Sequence, residues 1–365
     1  MRQPDGSWEL GARSQSLLEL DSPSYSVFSE KFPPSQNAPE SLNDVIGIAR
    51  QIVQAKSSNG LPLMEDGSAA DPASNGVGVL IANWTNASGG NYDQAATDQL
   101  TYLLTVAPRT SSGAISHRSD EVQLWSDFVY MVPPFLAYYG VMTDNRTLVE
   151  EAYNQIKLYR NVLIDGTGMW QHIKMGSFED TGHWSTGNGW AAMGMLRVLA
   201  SIRGSQWANA LKGQTRDLEN WIIEIHDAMW PQLNSDGLFY NYADDRSTFP
   251  DAASTALLAA STYRLSLVSG VHKHLPLAER VHTILSTEHI NSDGWLNPVV
   301  DPHSFHDEGQ KSAEAQAFVL KMHAAWNEWV QDGSKGANVG TRSVVGIKWW
   351  GWAMAVVASI FMGLI

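Results

Sequence analysis

Apolar residues recur along most of the chain at the spacing of three and four that is typical of α-helices, whereas the alternation typical of β-strands is scarce. The pattern predicts ten helices, at 42–55, 75–82, 94–106, 125–141, 148–162, 190–202, 207–229, 252–267, 277–285 and 313–329. Three of them follow residues suited to helix N-caps, namely Ser41, Asn145 and Ser312. Polar-faced helices alternate with more apolar ones, so the predicted fold class is all-α.

A repeated turn separates these helices. A glycine flanked by a small or polar residue and an apolar residue recurs at spacings of 53 to 69 residues, at Gly6, Gly60, Gly113, Gly168, Gly237 and Gly294. Each unit has room for two helices. Twelve helices in six hairpins would close into an (α/α)6 barrel, with the apolar helices inside. An open solenoid is the alternative, but shorter and more regular repeats are typical of it, so the closed barrel is favoured.

Composition excludes several classes of protein. The chain has 365 residues, 44% of them apolar, and can bury a sizeable core. Its lack of cysteine excludes disulfide scaffolds, thiolate metal sites and cysteine nucleophiles. The formal net charge of -14 argues against nucleic acid as a partner, because phosphate backbones require a basic surface. The 11 histidines lack the spacing of a metal site, so no metal or other cofactor is predicted.

The C-terminal end differs in composition from the rest of the chain. We expect residues 1–331 to form the barrel, 332–348 a polar spacer, and 349–365 an uncharged apolar tail. Such a tail is typical of a glycolipid-anchor signal or a membrane helix, and a twelfth barrel helix is the alternative. Three glycosylation sequons, at Asn83, Asn86 and Asn145, agree with a secreted or cell-surface protein whose signal peptide is not in this sequence.

Two aspartates stand at the starts of apolar helices. Asp127 lies between Trp125 and Phe128, and Asp71 precedes the helix predicted at 75–82. An apolar, aromatic environment raises the pKa of a carboxyl group, which suits a general acid. The same position also suits an ordinary helix N-cap, so both interpretations stay open.

A third segment, at 183–194, combines two glycines around Asn188 with Trp184 and Trp190. Glycines let the backbone approach a ligand, and they equally suit a tight turn before a helix. The 15 tryptophans of the chain have flat apolar faces that suit sugar rings as well as protein cores. In a closed barrel, the starts of alternate helices meet at one end. Asp71, Asp127 and this segment would then line one pocket, with His172 joining from the equivalent loop.

The motifs WSDFVYM at 125–131 and WSTGNGW at 184–190 resemble the signature blocks of glycoside hydrolase family 105, the unsaturated rhamnogalacturonyl hydrolases of the six-hairpin glycosidase superfamily. The resemblance extends from about Asp71 to about Trp329, and the segments 108–110 and 313–318 resemble the family's fungal members. It implies an (α/α)6 barrel that releases a 4,5-unsaturated uronic acid from the non-reducing end of lyase-generated pectin oligosaccharides of the rhamnogalacturonan type. The implied reaction is hydration of the vinyl-ether double bond.

The resemblance also implies roles for individual residues. The catalytic acid/base falls on Asp127, and the substrate-binding positions fall on Asp71, His117, Trp125, Met131, His172, Trp184, Thr186 and Trp190. Thr186 departs from the family pattern, which has an arginine there. Threonine cannot form the bidentate bonds of a guanidinium group to a carboxylate. Either another cation takes over, with Arg118 and Lys174 nearest by motif, or the preferred substrate differs.

Two other functions stay open on the sequence alone. The adjacent Asp244 and Asp245 are the kind of acidic pair seen in α-1,6-mannanases of fungal cell walls, which are direct glycosidases on the same barrel. Loss of the arginine at Thr186 is also compatible with a non-catalytic surface protein that binds glycans. Because Asp71 and Asp127 are both present, the sequence favours an enzyme over this second alternative.

Overall fold

A computed structural model describes residues 6–337. Its α-helices are α1 Ser7–Asp21, α2 Asn43–Ala55, α3 Gly76–Trp84, α4 Tyr92–Thr105, α5 Phe128–Met142, α6 Arg146–Leu163, α7 Ser185–Gly204, α8 Lys212–Met229, α9 Ala252–Ser269, α10 Leu275–Glu288 and α11 Ala313–Gln331. Its strands are β1 Leu124–Trp125, β2 Ile173–Lys174, β3 Phe239–Tyr240, β4 Pro250–Asp251, β5 Val299–Asp301 and β6 Ser304–Gly309. The strands pair antiparallel as β1 with β2, β3 with β4, and β5 with β6.

The odd-numbered helices form a closed inner ring. Each of α1, α3, α5, α7, α9 and α11 packs against the next, and α11 packs back against α1. The even-numbered helices pack outside this ring. Nearly every residue of α5 and α7 is buried, whereas the outer helix α6 buries one face, which is the difference expected between inner and outer helices. Within residues 6–337, six inner and five outer helices thus confirm the predicted (α/α)6 barrel.

Four of the six repeat glycines form the same turn after an outer helix. Gly113, Gly168, Gly237 and Gly294 have positive φ angles of 83° to 95°. The backbone N–H of each donates to the carbonyl three residues earlier, at 2.9–3.3 Å. Side chains are strained at such φ angles, which explains why glycine recurs here. Gly6 differs, since it is the N-cap of α1 with a φ of -74°.

The inner helix α1 is missing from the ten predicted helices. Its interior face carries Glu9, Gln15 and Glu19, all of which are buried. Glu19 lies 3.1 Å from Arg264 on α9 and 3.6 Å from Lys321 on α11. A search for apolar spacing cannot detect a helix whose buried face is polar, because its partners come from distant parts of the chain.

Two of the three predicted N-caps are confirmed. The side chains of Asn145 and Ser312 accept hydrogen bonds from the first turns of α6 and α11. The prediction for Ser41 is wrong, because a 3₁₀ turn at Glu40–Leu42 precedes α2. The hydroxyl of Ser41 instead bonds that of Ser22 at 2.5 Å.

The chain turns back onto the barrel after α11. The indole N–H of Trp329 donates to the carbonyl of Lys335 at 2.9 Å, and the N–H of Ser334 donates to the carbonyl of Trp329 at 3.0 Å. The start of the predicted spacer is therefore fastened to α11. The remainder of the spacer and the apolar tail at 349–365 lie outside the described residues. Across residues 6–337, no helix combines the length and apolar character needed to cross a membrane.

Candidate active site

The N-terminal ends of the inner helices bring polar side chains to one end of the barrel. These side chains belong to Glu9, Asp71, Asp127, Thr186, Asp251 and Glu314. Five of them lie at the cap or in the first turn of an inner helix, whereas Asp71 begins the 3₁₀ turn that leads into α3. Helix N-termini carry partial positive charge, so they stabilise carboxylates. Burial raises the pKa of Glu314 well above its usual range, and the charges of Glu9 and Asp127 add to this. The charge of Asp127 also raises the pKa of Asp71, so these two carboxyl groups lie near each other. The structure thus agrees with the predicted convergence of Asp71 and Asp127 at one end of the barrel.

Asp127 is the N-cap residue of α5. It follows β1, whose pairing with β2 joins the loop before α5 to the loop after α6. Its side chain is 13% exposed, and its Oδ2 atom accepts a hydrogen bond from the hydroxyl of Ser126 at 3.1 Å. Burial raises the pKa of Asp127, and the negative charge of Asp180 adds to this, while a positive charge on His172 and the bond from Ser126 oppose it. Asp127 therefore keeps its proton to a higher pH than an ordinary aspartate, as a general acid requires.

Asp71 begins the 3₁₀ turn Asp71–Asn75 that leads into α3. Burial raises its pKa well above the usual range, and the nearby charges of Asp66 and Asp127 raise it further. Its Oδ1 atom lies 3.5 Å from Nε2 of His117. Burial lowers the pKa of His117 to about 3, so this histidine is neutral at physiological pH. The carboxyl groups of Asp71 and Asp127 interact electrostatically, and such a pair favours a state in which one of the two groups holds a proton.

Aromatic rings line the site next to these carboxyl groups. Trp125 stacks on His117 with a ring separation of 4.8 Å, and Trp184 lies 4.4 Å from the ring of His172. Phe305, on β6, contacts His172 at 4.6 Å and Trp125 at 6.0 Å. Such flat apolar faces bind sugar rings well.

Seven of the eight predicted substrate-binding residues are buried, and three of them lie within the inner helices. Met131 and Trp190 are 2% and 1% exposed, and Trp190 packs against Tyr130 with a ring separation of 4.3 Å. The hydroxyl of Thr186 donates to Oδ2 of Asp251 at 3.2 Å. Asp251 in turn caps α9, so Thr186 serves helix packing in this structure. Contact of these three residues with substrate stays a prediction.

The two cations suggested as replacements for the missing arginine differ in their surroundings. The ammonium group of Lys174 lies 2.9 Å from Glu179. The guanidinium group of Arg118 lies 3.4 Å from the exposed Asp120, a weak pair, and its own side chain is 34% exposed. The charge of Arg118 partly offsets the rise in the pKa of Asp71 and adds to the lowering of the pKa of His117, so Arg118 lies near both residues.

The acidic pair Asp244 and Asp245 serves loop structure. Asp244 lies 2.8 Å from Nδ1 of His183, whose Nε2 atom is 2.8 Å from Asp165. Burial disfavours a charge on His183, but the bonds to Asp244 and Asp165 outweigh this and raise its pKa. Asp245 accepts two hydrogen bonds from Ser247 within its own turn. This arrangement gives no support to the mannanase alternative.

Several residues of the site were not found from the sequence. They lie in the connections after α6, α8 and α10, and are Phe178, Asp180, Asn241, Tyr242, Phe305 and His306. These connections have no helical periodicity and only very short strands. No motif in the sequence indicated them, because their contacts form between distant loops.

Between residues 6 and 337, no group of three or more His, Asp or Glu side chains is arranged to hold a metal ion.

A closed ring of helix hairpins with a carboxyl pair and aromatic side chains at one end is the architecture of the (α/α)6-barrel glycoside hydrolases. A sequence model of glycosyl hydrolase family 88 matches residues 38–310, about three quarters of the chain. The chain therefore belongs to this family.

Individual relatives agree with this assignment. The unsaturated rhamnogalacturonyl hydrolase YesR of Bacillus subtilis is 23% identical over 181 residues, which are 47% of this chain and 51% of that protein. The match thus spans about half the length of this relative. These findings confirm the resemblance to the unsaturated rhamnogalacturonyl hydrolases.

Solved structures confirm the fold. A Klebsiella pneumoniae protein described as a possible member of family GH105 has a TM-score of 0.72 at 17% identity, covering 88% of this chain and 82% of that one. A family 105 glycoside hydrolase of C. acetobutylicum has a TM-score of 0.68 at 14% identity, covering 88% and 94%.

Proposed function

We propose that this protein removes a 4,5-unsaturated uronic acid from the non-reducing end of lyase-generated pectin oligosaccharides, of the rhamnogalacturonan type, by hydration of the double bond. The observation that carries the proposal is Asp127, a carboxyl group whose burial favours its protonated form, beside a second carboxyl group and a wall of aromatic rings. The name of the B. subtilis relative supports the same substrate class.

The reaction needs one carboxyl group that acts first as acid and then as base. Protonated Asp127 gives its proton to C4 of the double bond, and positive charge develops at C5. Water then adds to C5 and returns a proton to the Asp127 carboxylate. The resulting hemiketal opens and releases the neighbouring sugar. Because no second carboxylate attacks the sugar, the spacing rule for ordinary glycosidases does not apply.

Asp71 and the aromatic rings position the substrate in this scheme. Asp71 accepts hydrogen bonds from the ring hydroxyls of the substrate or donates hydrogen bonds to them, and it lies near enough to Asp127 for the two carboxyl groups to interact electrostatically. Trp125 and Trp184 provide faces for the sugar rings. The surplus of negative charge on the protein disfavours a long polyanion, whereas one uronate at a chain end is compatible with a local cation.

Arg118 is the cation that we assign to the uronate carboxylate. It lies beside Asp71 and His117, and Asp120 holds it only weakly. Replacing Arg118 with alanine is expected to raise KM for the unsaturated disaccharide by roughly 10- to 100-fold, with a smaller change in kcat, because a charge-assisted bond to substrate is lost. Steady-state kinetics with purified disaccharides measure both constants.

Lys174 offers the matched control. It is also a cation near the site, but Glu179 already holds it. Lys174→Ala is expected to leave KM within about threefold of the parent value, because the lost pair is a surface pair of little energy. An unchanged KM for Arg118→Ala, or a larger effect for Lys174→Ala, would show that the assignment to Arg118 is wrong.

We also propose that the protein is secreted or held at the cell surface, with membrane attachment through the apolar segment 349–365. All three sequon asparagines, Asn83, Asn86 and Asn145, are exposed, which supports glycosylation. A glycolipid anchor replaces the apolar segment that signals its attachment, so treatment of membranes with a phosphatidylinositol phospholipase is expected to release the anchored protein without that segment. Recovery of all of the protein in the soluble fraction without phospholipase treatment would contradict membrane attachment.

A further inference from the structure

His172 lies between two carboxyl groups, and its two ring nitrogens face different ones. The Nδ1 atom is 2.9 Å from Oδ2 of Asp180, which is a good hydrogen-bond distance. The Nε2 atom is 3.6 Å from Oδ2 of Asp127 and has no hydrogen-bond partner among the described residues. Because the ring is fully buried, the Nε2 atom that faces Asp127 is shielded from bulk water.

We propose that Asp180 is a positioning residue that fixes the tautomer of His172, so that His172 presents a lone pair, and no proton, to Asp127. The inference rests on the proposed function for its catalytic meaning, while the tautomer itself is a property of the protein alone.

The surroundings of Asp180 make it a firm acceptor. Its Oδ1 atom accepts the N–H of Gly182 at 3.0 Å, and its Oδ2 atom accepts both the Tyr242 hydroxyl and Nδ1–H of His172. Burial alone would raise the pKa of Asp180, but these hydrogen bonds outweigh it and lower the pKa. An ionised carboxylate only accepts, so Nδ1 must carry the proton. In the neutral ring, Nε2 then has a free lone pair.

The loop geometry holds this arrangement in place. Asp180 and Ile173 exchange backbone hydrogen bonds of 2.7 and 3.0 Å, and His172 precedes Ile173 directly. The N–H of His172 donates to the carbonyl of Gly182 at 3.0 Å. The acceptor and the histidine are thus fixed by the same two-stranded turn.

A neutral His172 with its proton on Nδ1 offers no hydrogen bond to the Asp127 carboxylate and lacks the positive charge that would lower the pKa of Asp127, so the protonated form of that carboxyl group is favoured. This is the form that starts the proposed reaction. His172 gains and loses no proton in the cycle, since the proton passes from Asp127 to C4 and returns from water. The separation of 3.6 Å is compatible with a bond that shortens when substrate fills the site.

Other titratable groups also face this pair. They come from the elements packed around it and are Asp71, His117, Tyr159, Tyr242 and Glu314. Among the described residues, however, Asp180 is the one that hydrogen-bonds the His172 ring. Substitution of Asp180 therefore changes the tautomer without removing any of these groups.

Asp180→Asn tests the inference, because it keeps the shape of the side chain and changes one acceptor into a donor. The N–H of Gly182 requires the amide oxygen, so the amide nitrogen would face Nδ1 of His172 and force the proton to Nε2. We expect kcat to fall by roughly 10²- to 10⁴-fold, as wrong tautomers do in catalytic triads, with KM little changed. An Nε2 proton favours the Asp127 carboxylate, so the alkaline limb of the rate profile should move to lower pH.

Asp165→Asn is the matched control. Asp165 holds His183 at 2.8 Å through the same kind of contact, but that histidine serves loop structure. We expect kcat and KM of this variant to stay within about threefold of the parent, since the lost bond lies outside the reacting groups. A comparable loss of kcat in both variants would overturn the inference, because it would indicate a general effect of disturbing these loops.

Nitrogen NMR of the full-length protein with ¹⁵N-labelled histidine reads the tautomer directly, with His172 assigned through a His172→Gln variant. The expected result is a proton on Nδ1 in the parent and on Nε2 in Asp180→Asn. A parent proton on Nε2, or the same tautomer in both proteins, would overturn the inference even if activity falls. This readout needs no substrate. If the parent enzyme failed to consume the double bond, the proposed function alone would be contradicted.

Discussion

Replacing Asp127 with asparagine is expected to reduce the consumption of unsaturated oligosaccharides by roughly 10²- to 10⁴-fold, the usual contribution of a general acid/base. Asparagine fits the same space at the start of α5 but can neither protonate C4 nor accept a proton from water. The measurement is the ultraviolet absorbance of the double bond in lyase-generated substrates. Since burial raises the pKa of Asp127, the parent enzyme should stay active above the usual range of aspartate and lose activity as pH rises through the raised pKa.

Asp245→Asn is a suitable control for this substitution. Asp245 is exposed, and its side chain bonds only Ser247 in its own turn among the contacts described, so removal of its charge should leave activity and stability near the parent values. Full activity in Asp127→Asn would contradict the assignment of the acid/base. A loss of folding in Asp127→Asn, detected by circular dichroism, would be contrary to the expectation that Asp127 serves chemistry.

Replacing Glu19 with glutamine is expected to lower the free energy of unfolding by about 3–5 kcal/mol, the usual effect of breaking a buried ion pair. Glu19 is the fully buried anion beside Arg264 and Lys321 in the barrel interior. Burial alone would raise its pKa, but the charges of Lys321 and Arg264 outweigh this and lower it. Without Glu19, these cations stay buried with less compensation. Urea denaturation monitored by fluorescence measures the difference.

The effect should also depend on pH. Because the pKa of Glu19 is lowered in the folded state, its contribution is complete above the ordinary pKa of glutamate and is lost as pH falls through the folded value. The difference between Glu19→Gln and the parent should therefore narrow in acid. Glu328→Gln is the control, since Glu328 also contacts Arg264 but its side chain is 38% exposed. For this variant, we expect the free energy of unfolding to fall by less than about 1 kcal/mol. Equal effects of the two substitutions would contradict this account of the interior.

The barrel was largely predictable because its outer helices and most of its inner helices have strong apolar patterns. The turn glycines were equally informative, since four of them occupy one backbone conformation that other residues avoid. The exception is α1, whose interior face is stabilised by charges from α9 and α11. Pattern analysis reads each segment alone, so it cannot see a polar face that is satisfied by residues far along the chain.

The candidate site was predictable where its residues stand at helix starts. Asp71, Asp127 and Trp184 follow from the common direction of the inner helices. Asp180 and Phe305 could not be predicted, because they lie on loops that are brought to the site by short strand pairs. The difference is physical, since a helix start has a local signal, whereas a loop position depends on the packing of the finished barrel.

Thr186 shows the limit of inference from a motif. Its place in the motif implies a contact with substrate, but its hydroxyl bonds Asp251, which caps α9 and also accepts the N–H of Val300 at 3.0 Å. The sequence shows that the arginine is missing. The structure adds that Arg118, from a different loop, lies near Asp71.

Proton NMR of the reaction from its earliest time points tests the central claim, hydration of the double bond, most directly. The substrate is a lyase-generated unsaturated disaccharide, and the signals are those of the vinyl hydrogen at C4 and of the released sugar. The account predicts that the vinyl signal disappears in step with sugar release, and that no free unsaturated uronic acid forms. Appearance of the free unsaturated uronic acid as the first product would show direct cleavage of the glycosidic bond and contradict the account.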